Sequence, residues 1–569
     1  LETEARSISG EQQHGSSGIE RDVVETGGIE MADEVDSRTM TTTASAGAVA
    51  TSAATPAPTR RHALQLGLAA GFTAAASGLL LPTRPAFADT PKRGGSITVA
   101  GADSSTADTL DPARASNTTD YSRLFMFYNG LTVFDEHLTP LPDLATSVET
   151  SDAVHWTIKL RSGVTFHDGS PLTSADVVFS LARHKDPAVA SVIKPLASEM
   201  QEIKATGPLE VQVTLAQPNI ELPTILAIYQ FVIVKAGTTD FSKGNGTGPF
   251  ICKEFSPGVR SVGVRNPNYF HSGQPYLDQI TYIGIGDDSA RVNALLSGDI
   301  DVAGGVDAHA TPQIKAASGY SVFESKGGEY TDLIMHLDAP KIGNPDFVKA
   351  VKYLQDRERI KSSVFLNYAE IGNDQPVSPS NPYYDPSLPQ TPLDIDRAKF
   401  HLKKAGMSGA NIPLVCSPAA TGSVDMAIIL QSTAAQAGLN IQVKRVPSDG
   451  YWSNYWLKAP FTFGNIIGRP SANIQLTLFF KSTAPWNESH WKNPTFDKLL
   501  AASAAETDVT KRRQMYFEMQ RLIHDQAGIG IPVFISDIDA HSDRVKGLRP
   551  LPTGGLMGYN FAQHIWLDG

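Results

Sequence analysis

The stretch "WTIKLRSGVTFHDGSPLTSADVVFSL", residues 156–181, carries three kinds of local order in succession. Trp156, Ile158 and Leu160 alternate with Thr157, Lys159 and Arg161, the period-two pattern of a strand with one face buried. Asp168-Gly169 follows as a strong turn signal, because glycine enters the backbone conformations a tight turn needs. Thr173 or Ser174 then stands ahead of Asp176 and an apolar-periodic run, which predicts a helix with an N-cap. His167 beside Asp168 raises the question of a general base and its orienter. Adjacent strand residues point to opposite faces, and the sequence supplies no third group, so the pair reads as a turn between strand and helix.

The same grammar continues on both sides. "GGSITVAGAD" (94–103) and "LEVQVTLAQP" (209–218) read as strands. "LTVFDEHLTPLPDLATSVE" (131–149) reads as a strand, a turn at Pro140 and Pro142, and a short helix. "GDDSARVNALLSGDIDVAGGV" (286–306) predicts a capped helix, a Gly298-Asp299 turn and a strand. Amphipathic helices are expected at "DFVKAVKYLQDRERI", "DIDRAKFHLKKAG" and "VDMAIILQSTAAQAG", the last leading into the strand "LNIQVKRV". Two helices over 494–526 and a buried strand at "IGIPVFIS" complete the pattern. Strands and helices in alternation indicate an α/β or α+β chain, and 569 residues with 41% hydrophobic content suffice for two or more domains.

A formal net charge of −11 without a basic stripe argues against nucleic acid as a partner. Cys252 and Cys416 form neither a disulfide framework nor a CxxC metal pattern, and are expected as two buried thiols. Residues 1–59, poor in aromatics and rich in Ser, Thr, Ala, Gly and Glu, read as a disordered or upstream segment. Residues 60–88 read as a Tat-like signal peptide: Arg60-Arg61, a diluted apolar run over 64–81, and a small-x-small site at Ala86-Phe87-Ala88. The alternative, a membrane anchor, has a run close to the length needed to span. With cleavage after Ala88 the mature chain is expected to be periplasmic.

Motifs for catalysis are missing. The sequence has no GxSxG elbow, no GxxxxGK[ST] loop and no HExxH. "KGNGTGPF" (243–250) alternates three glycines but runs into another apolar strand, not the helix a phosphate loop requires. The histidines, among them His184, His271, His336, His490 and His541, show no spacing that puts two on one helix face, so no metal ligands are assigned. No enzyme activity and no cofactor are expected.

Taken in order, the segments resemble the family 5 extracellular solute-binding proteins, the dipeptide, oligopeptide and nickel class of ABC importers. "LATSVETSDAVHWTIKLRSGVTFHDGSPLTSADVVFSL" is similar to that family's signature nearly throughout, and "TLDPARASN" resembles its first ligand-side loop. "GTGPFICKEF", "RNPNYFHSGQPYLDQITY", "ARVNALLSGDIDV", "DFVKAVKYLQDRERI" and "NPTFDKLL" follow in the family's order, so the resemblance covers residues 92–569. It implies a two-lobe periplasmic-binding-protein fold, type II-like, of the large cluster with an extra subdomain in lobe I. Lobe I would span 89–334 with the insertion near 130–235, lobe II 335–531, and 532–569 would return to lobe I. The implied function is capture of a peptide-like or acidic small solute by hinge closure and delivery to ABC permease subunits in the inner membrane, by a protein expected to act as a monomer. A chemosensory or chaperone-like binder on the same fold, or a secreted hydrolase, are the alternatives.

Peptide-binding members of the family carry a W-x-x-D-x-x-x-P segment whose aspartate takes the ligand's α-amine. The matching stretch here is "GNIIGRPSANIQLTLFF" (464–480), with Asn465 in place of the tryptophan, Gly468 in place of the aspartate, and Arg469 next to it. A guanidinium offers a planar donor fork suited to carboxylate or phosphate, so the ligand is expected to lack a free α-amine or to carry an acidic group facing Arg469. A solvated loop residue or an intralobe ion pair is the competing reading of Arg469. Asn473 lies in the same segment. Tyr128 and Asn129 of "FYNGL", Thr247 and Phe250 of "GTGPF", Tyr451, Trp452 and Trp456 of "YWSNYW", and Trp486 complete the expected lining, since aromatic walls with a few polar anchors suit a small-molecule cleft. Such residues serve a core as readily as a cleft.

Overall fold

A computed structural model describes residues 90–103 and 105–568. The expected disordered segment and signal peptide, residues 1–88, lie outside the described residues. No helix among the described residues is long and apolar enough to cross a membrane.

One mixed sheet runs through both halves of the described chain. Its strands lie in the order Phe461–Ile466, Tyr320–Met335, Val533–Ser542, Val302–Ala303, Ser96–Gly101, Gln279–Gly284, Arg260–Arg265, Phe250–Ser256, with Ala369–Ile371 and Ile529–Gly530 paired alongside. The 16-residue strand Tyr320–Met335 is the outgoing connection. At its start Tyr320 and Val322 pack with Ala303 and Ala540, while Leu333 and Met335 at its end join the core built on Phe347, Leu354, Leu414 and Phe461. The return strand Val533–Ser542 pairs antiparallel with it from Tyr320↔Ser542 to Glu329↔Ile535 and makes the same passage in reverse. The last residues, including Phe561 and Ile565, pack on Ile97, Val99 and Phe250 of the first half. The molecule is therefore two-lobed, with the lobes sharing a central pair of strands.

Residues 145–215 form a separate four-stranded antiparallel sheet, ordered Ala145–Thr150, His155–Leu160, Glu210–Leu215, Met200–Gly207. Trp156, Ile158 and Leu160 are all buried, as their alternation requires, against Val177 and Leu181 of the helix Ser174–Arg183. Thr173 caps that helix in a reciprocal box with Asp176. One sequence expectation is corrected: "DLATSVE" is not a helix. Ala145–Thr150 pairs with His155–Leu160 as an edge strand, because the β-branched Val148 and Thr150 find cross-strand partners there, Ile158 and Trp156, that outweigh weak helical propensity. Pro140–Pro142 likewise pairs with Thr132–Phe134 instead of forming only a turn. "DFVKAVKYLQDRERI" also divides: the helix Pro345–Leu354 ends where Gln355 turns extended. Both cysteines are free; Cys416 is buried as expected, whereas Cys252 is only half-buried.

The His167-Asp168 pair is a clamp on the glycine-rich loop. The His167 ring lies 3.0 Å from the Gly248 carbonyl and 3.3 Å from the Gly244 carbonyl, and its backbone N–H donates to the Gly246 carbonyl at 2.8 Å. Asp168 accepts from Lys235 at 2.6 Å and Asn245 at 3.0 Å. These bonds press the loop against the helix Thr118–Phe127: a Cβ on Gly246 would sit 2.1 Å from the Phe127 carbonyl oxygen, and one on Gly248 2.4 Å from its carbon. Only hydrogen fits between the two backbones. Gly246→Ala should therefore destabilise lobe I by about 1–3 kcal/mol, the usual range for overpacking, seen as a lower urea midpoint; an unchanged midpoint would show that the loop can lift away.

Candidate functional site

Between the lobes lies a cavity of about 370 Å³. Lobe I contributes Tyr121 and Phe125 from the helix Thr118–Phe127, Tyr229 from the short 3-10 helix Tyr229–Phe231, and Tyr559 from the C-terminal return. Lobe II contributes the turn Ile467, Gly468, Arg469, Pro470, then Ile474 and Leu478 from the helix Ala472–Phe479, and Trp486. The rings of Tyr121 and Tyr229 stack at 3.7 Å, with Tyr559 edge-on to both at 5.4 and 5.6 Å. Burial first raises the ionisation of all three phenols well above the ordinary range, while the positive charge of Arg469 acts to lower those of Tyr121 and Tyr229. They are neutral hydrogen-bonding groups on an aromatic wall. Among the described lining residues there is no carboxylate, imidazole or thiol, and Arg469 is the charged one.

Arg469 is half-buried, with no ion pair to a described residue. Its position follows from its neighbour. A Cβ on Gly468 would lie 2.5 Å from the backbone of Gly328, at the bulge in the outgoing strand between Lys326 and Glu329. Any side chain at 468, an aspartate included, would collide with that backbone. The arginine one position on is the residue free to project into the cavity.

The expected site residues divide. Arg469 and Trp486 line the cavity. The structure does not bring the others to it. Tyr128 and Phe250 sit in the lobe I core, 1% and 0% exposed. Asn129 is a buried junction that donates to Asp143 at 3.0 Å and Tyr269 at 3.1 Å and accepts from Thr247 at 3.1 Å. Asn465 donates to Glu329 and Thr331 of the outgoing strand, at 3.2 and 3.1 Å. Asn473 donates to the Leu500 carbonyl at 3.5 Å. Tyr451 is buried with its hydroxyl donating to the Phe463 carbonyl, Trp456 donates to Glu488 at 2.6 Å, and Trp452 is exposed. Tyr121, Tyr229 and Tyr559 were missed. They lie up to 438 positions apart in apolar surroundings, and local pattern offers no means of separating them from core tyrosines.

The lobes also meet beside the cavity. Glu221 of lobe I is 6% exposed and accepts hydrogen bonds from two lobe II hydroxyls, Ser471 and, at 3.0 Å, Tyr516. Burial raises its ionisation above the usual glutamate range, opposed by these two bonds and by Arg512. The Ile220 N–H donates to the Ala504 carbonyl at 2.8 Å across the same seam.

Comparison with known proteins fits this geometry. Residues 139–487 match the family described as bacterial extracellular solute-binding proteins, family 5 Middle. The glutathione-binding protein GsiB of Escherichia coli (strain K12) is 25% identical over 468 residues, covering 79% of this chain and 91% of that protein. Among solved structures, the ABC transporter substrate binding protein CtaP from Listeria monocytogenes superposes with a TM-score of 0.74 at 21% identity, over 84% of this chain and 100% of that one. The periplasmic binding protein DppA from Helicobacter pylori, in complex with the peptide STSA, gives 0.69 at 22%, over 84% and 99%. A two-lobed α/β molecule with a ligand-sized cavity at the lobe junction, matched by this family over more than half its length, belongs to the family 5 extracellular solute-binding proteins, the substrate-binding components of ABC importers.

Proposed function

We propose that this protein captures a small peptide-like or acidic solute between its lobes and hands it, unaltered, to the permease subunits of an ABC importer. The observation that carries the ligand class is Arg469: a guanidinium on the wall of a cavity whose described lining holds no carboxylate. A ligand carboxylate there would complete a charge-assisted pair, and the three tyrosines and Trp486 would cover its apolar part. The glutathione bound by GsiB is itself a peptide with two carboxylates, which supports the same class. The two shared strands support lobe boundaries near 334/335 and 531/532, with closure as a hinge motion about them. A monomer exported by a Tat-like signal, acting in the periplasm without nucleic acid, completes the reading.

Native mass spectrometry of the purified chain should reveal a co-purifying acidic solute below about 1 kDa, in keeping with a cavity of roughly drug-sized capacity. Turnover of that solute on incubation would overturn the binder reading. Arg469→Ala should weaken binding of the same solute by about 1.5–3 kcal/mol, roughly 10- to 150-fold by isothermal titration; unchanged affinity would remove Arg469 from the site.

Glu221 predicts a pH dependence. Its proton affinity is raised where the lobes meet, so that lobe contact takes up a proton and is favoured at low pH. This contribution is full below the glutamate's usual value and is lost as pH rises through the raised one. Solute affinity of the native chain should accordingly fall as pH rises over that window, and Glu221→Gln, neutral throughout, should flatten the profile. A variant that retains the native slope would show that another group sets it.

A further inference from the structure

Lobe II holds a cluster that the solute reading leaves unused. His336, Asp338 and His490 each present a ligand atom, and these atoms lie within 4.8 Å of one another. None of the three lines the cavity between the lobes. His336 and Asp338 follow the end of the outgoing strand, while His490 comes from the loop after the helix Ala472–Phe479. The Leu337 N–H donates to the Ser489 carbonyl at 2.9 Å and ties the two segments together.

The histidine rings approach to 4.0 Å between centroids, and the Nδ1 of His490 lies 2.9 and 3.0 Å from the two oxygens of Asp338. His336 is 4% exposed, yet its Nε2 has no hydrogen-bond partner among the described residues. A buried polar atom left unpaired costs about 1–3 kcal/mol, so an orphan beside a second imidazole and a carboxylate calls for an explanation.

We infer that His336, Asp338 and His490 form a binding site for a divalent late transition metal of the zinc or nickel type. Two imidazoles and one carboxylate suit such ions. Ligands about 2.0–2.2 Å from a common tetrahedral ion stand roughly 3.3 Å apart, and the exposed Asp338 and half-buried His490 are the two of the three with room to adjust. The neighbouring surface recess, bordered by Asp338, Asn487, His490 and Lys492, opens the site to solvent and leaves room for water as a further ligand. The loop that carries His490 also carries Trp486 onto the cavity wall, so a bound ion braces one side of the solute site.

The test is titration of the metal-free full chain with zinc chloride, followed by isothermal calorimetry and by the shift in thermal midpoint. One equivalent is expected to bind and raise the midpoint. Asp338→Asn and His490→Gln, both at partly exposed positions, should each weaken zinc binding at least roughly tenfold while keeping the native circular dichroism spectrum. Absence of stoichiometric binding, or full affinity in either variant, overturns the site. The readout is the metal alone, so failure here leaves the solute reading intact, and the reverse.

Discussion

The contact on which the arrangement turns is between two glycine backbones, Gly328 at the bulge of the outgoing strand and Gly468 in the turn that faces it. It is made at the place where the sheet passes from one lobe to the other. Because a Cβ on Gly468 would lie 2.5 Å from the Gly328 backbone, and one on Gly328 only 3.3 Å from the Gly468 Cα, the lobe II turn lies flat on the strand. The next residue, Arg469, is thereby carried to the junction of the lobes. A backbone contact of this kind is set by close packing, in which even one methylene is felt. It accounts together for the missing acid, the cationic wall and the position of the cavity.

Around that contact the two lobes are stabilised by different means. Lobe I relies on close backbone approach, with the loop 244–248 clamped by His167 and Asp168 against the helix Thr118–Phe127, and on the buried ion pair of Arg123 with Asp108 at 2.8 Å. Lobe II relies on a broad apolar core and on Asp374, which accepts from Arg357 at 2.7 Å and from the Ile531 N–H at 3.1 Å just ahead of the return strand. Loss of either partner of such a pair leaves an uncompensated buried charge. Across the seam the polar contacts are few and centre on a single carboxyl, Glu221. Lobes with their own cores, joined by two strands and a sparse seam, suit a protein that opens and closes.

The metal cluster and the solute cavity share one loop. Trp486 faces the cavity and His490 faces the surface recess, four residues apart. Ligand chemistry on one face and coordination chemistry on the other are thus joined by one short segment.

The sequence by itself determined the local elements and the family. Alternation at Trp156, Ile158 and Leu160, the cap at Thr173 and Asp176, and the ordered motifs over residues 92–569 reflect short-range constraints that each residue imposes on its neighbours. It also singled out Arg469 by the lack of an acid beside it. What only the tertiary structure decided is which aromatic and amide residues line the cavity between the lobes. Tyr128 and Asn129 are core while Tyr121, Tyr229 and Tyr559 form the wall, because facing a cavity is a property of segments brought together from hundreds of residues apart. The strand at Ala145–Thr150 and the meeting of His336 with His490 have the same cause: partners supplied across the fold outweigh local preference, and no spacing along the chain records them.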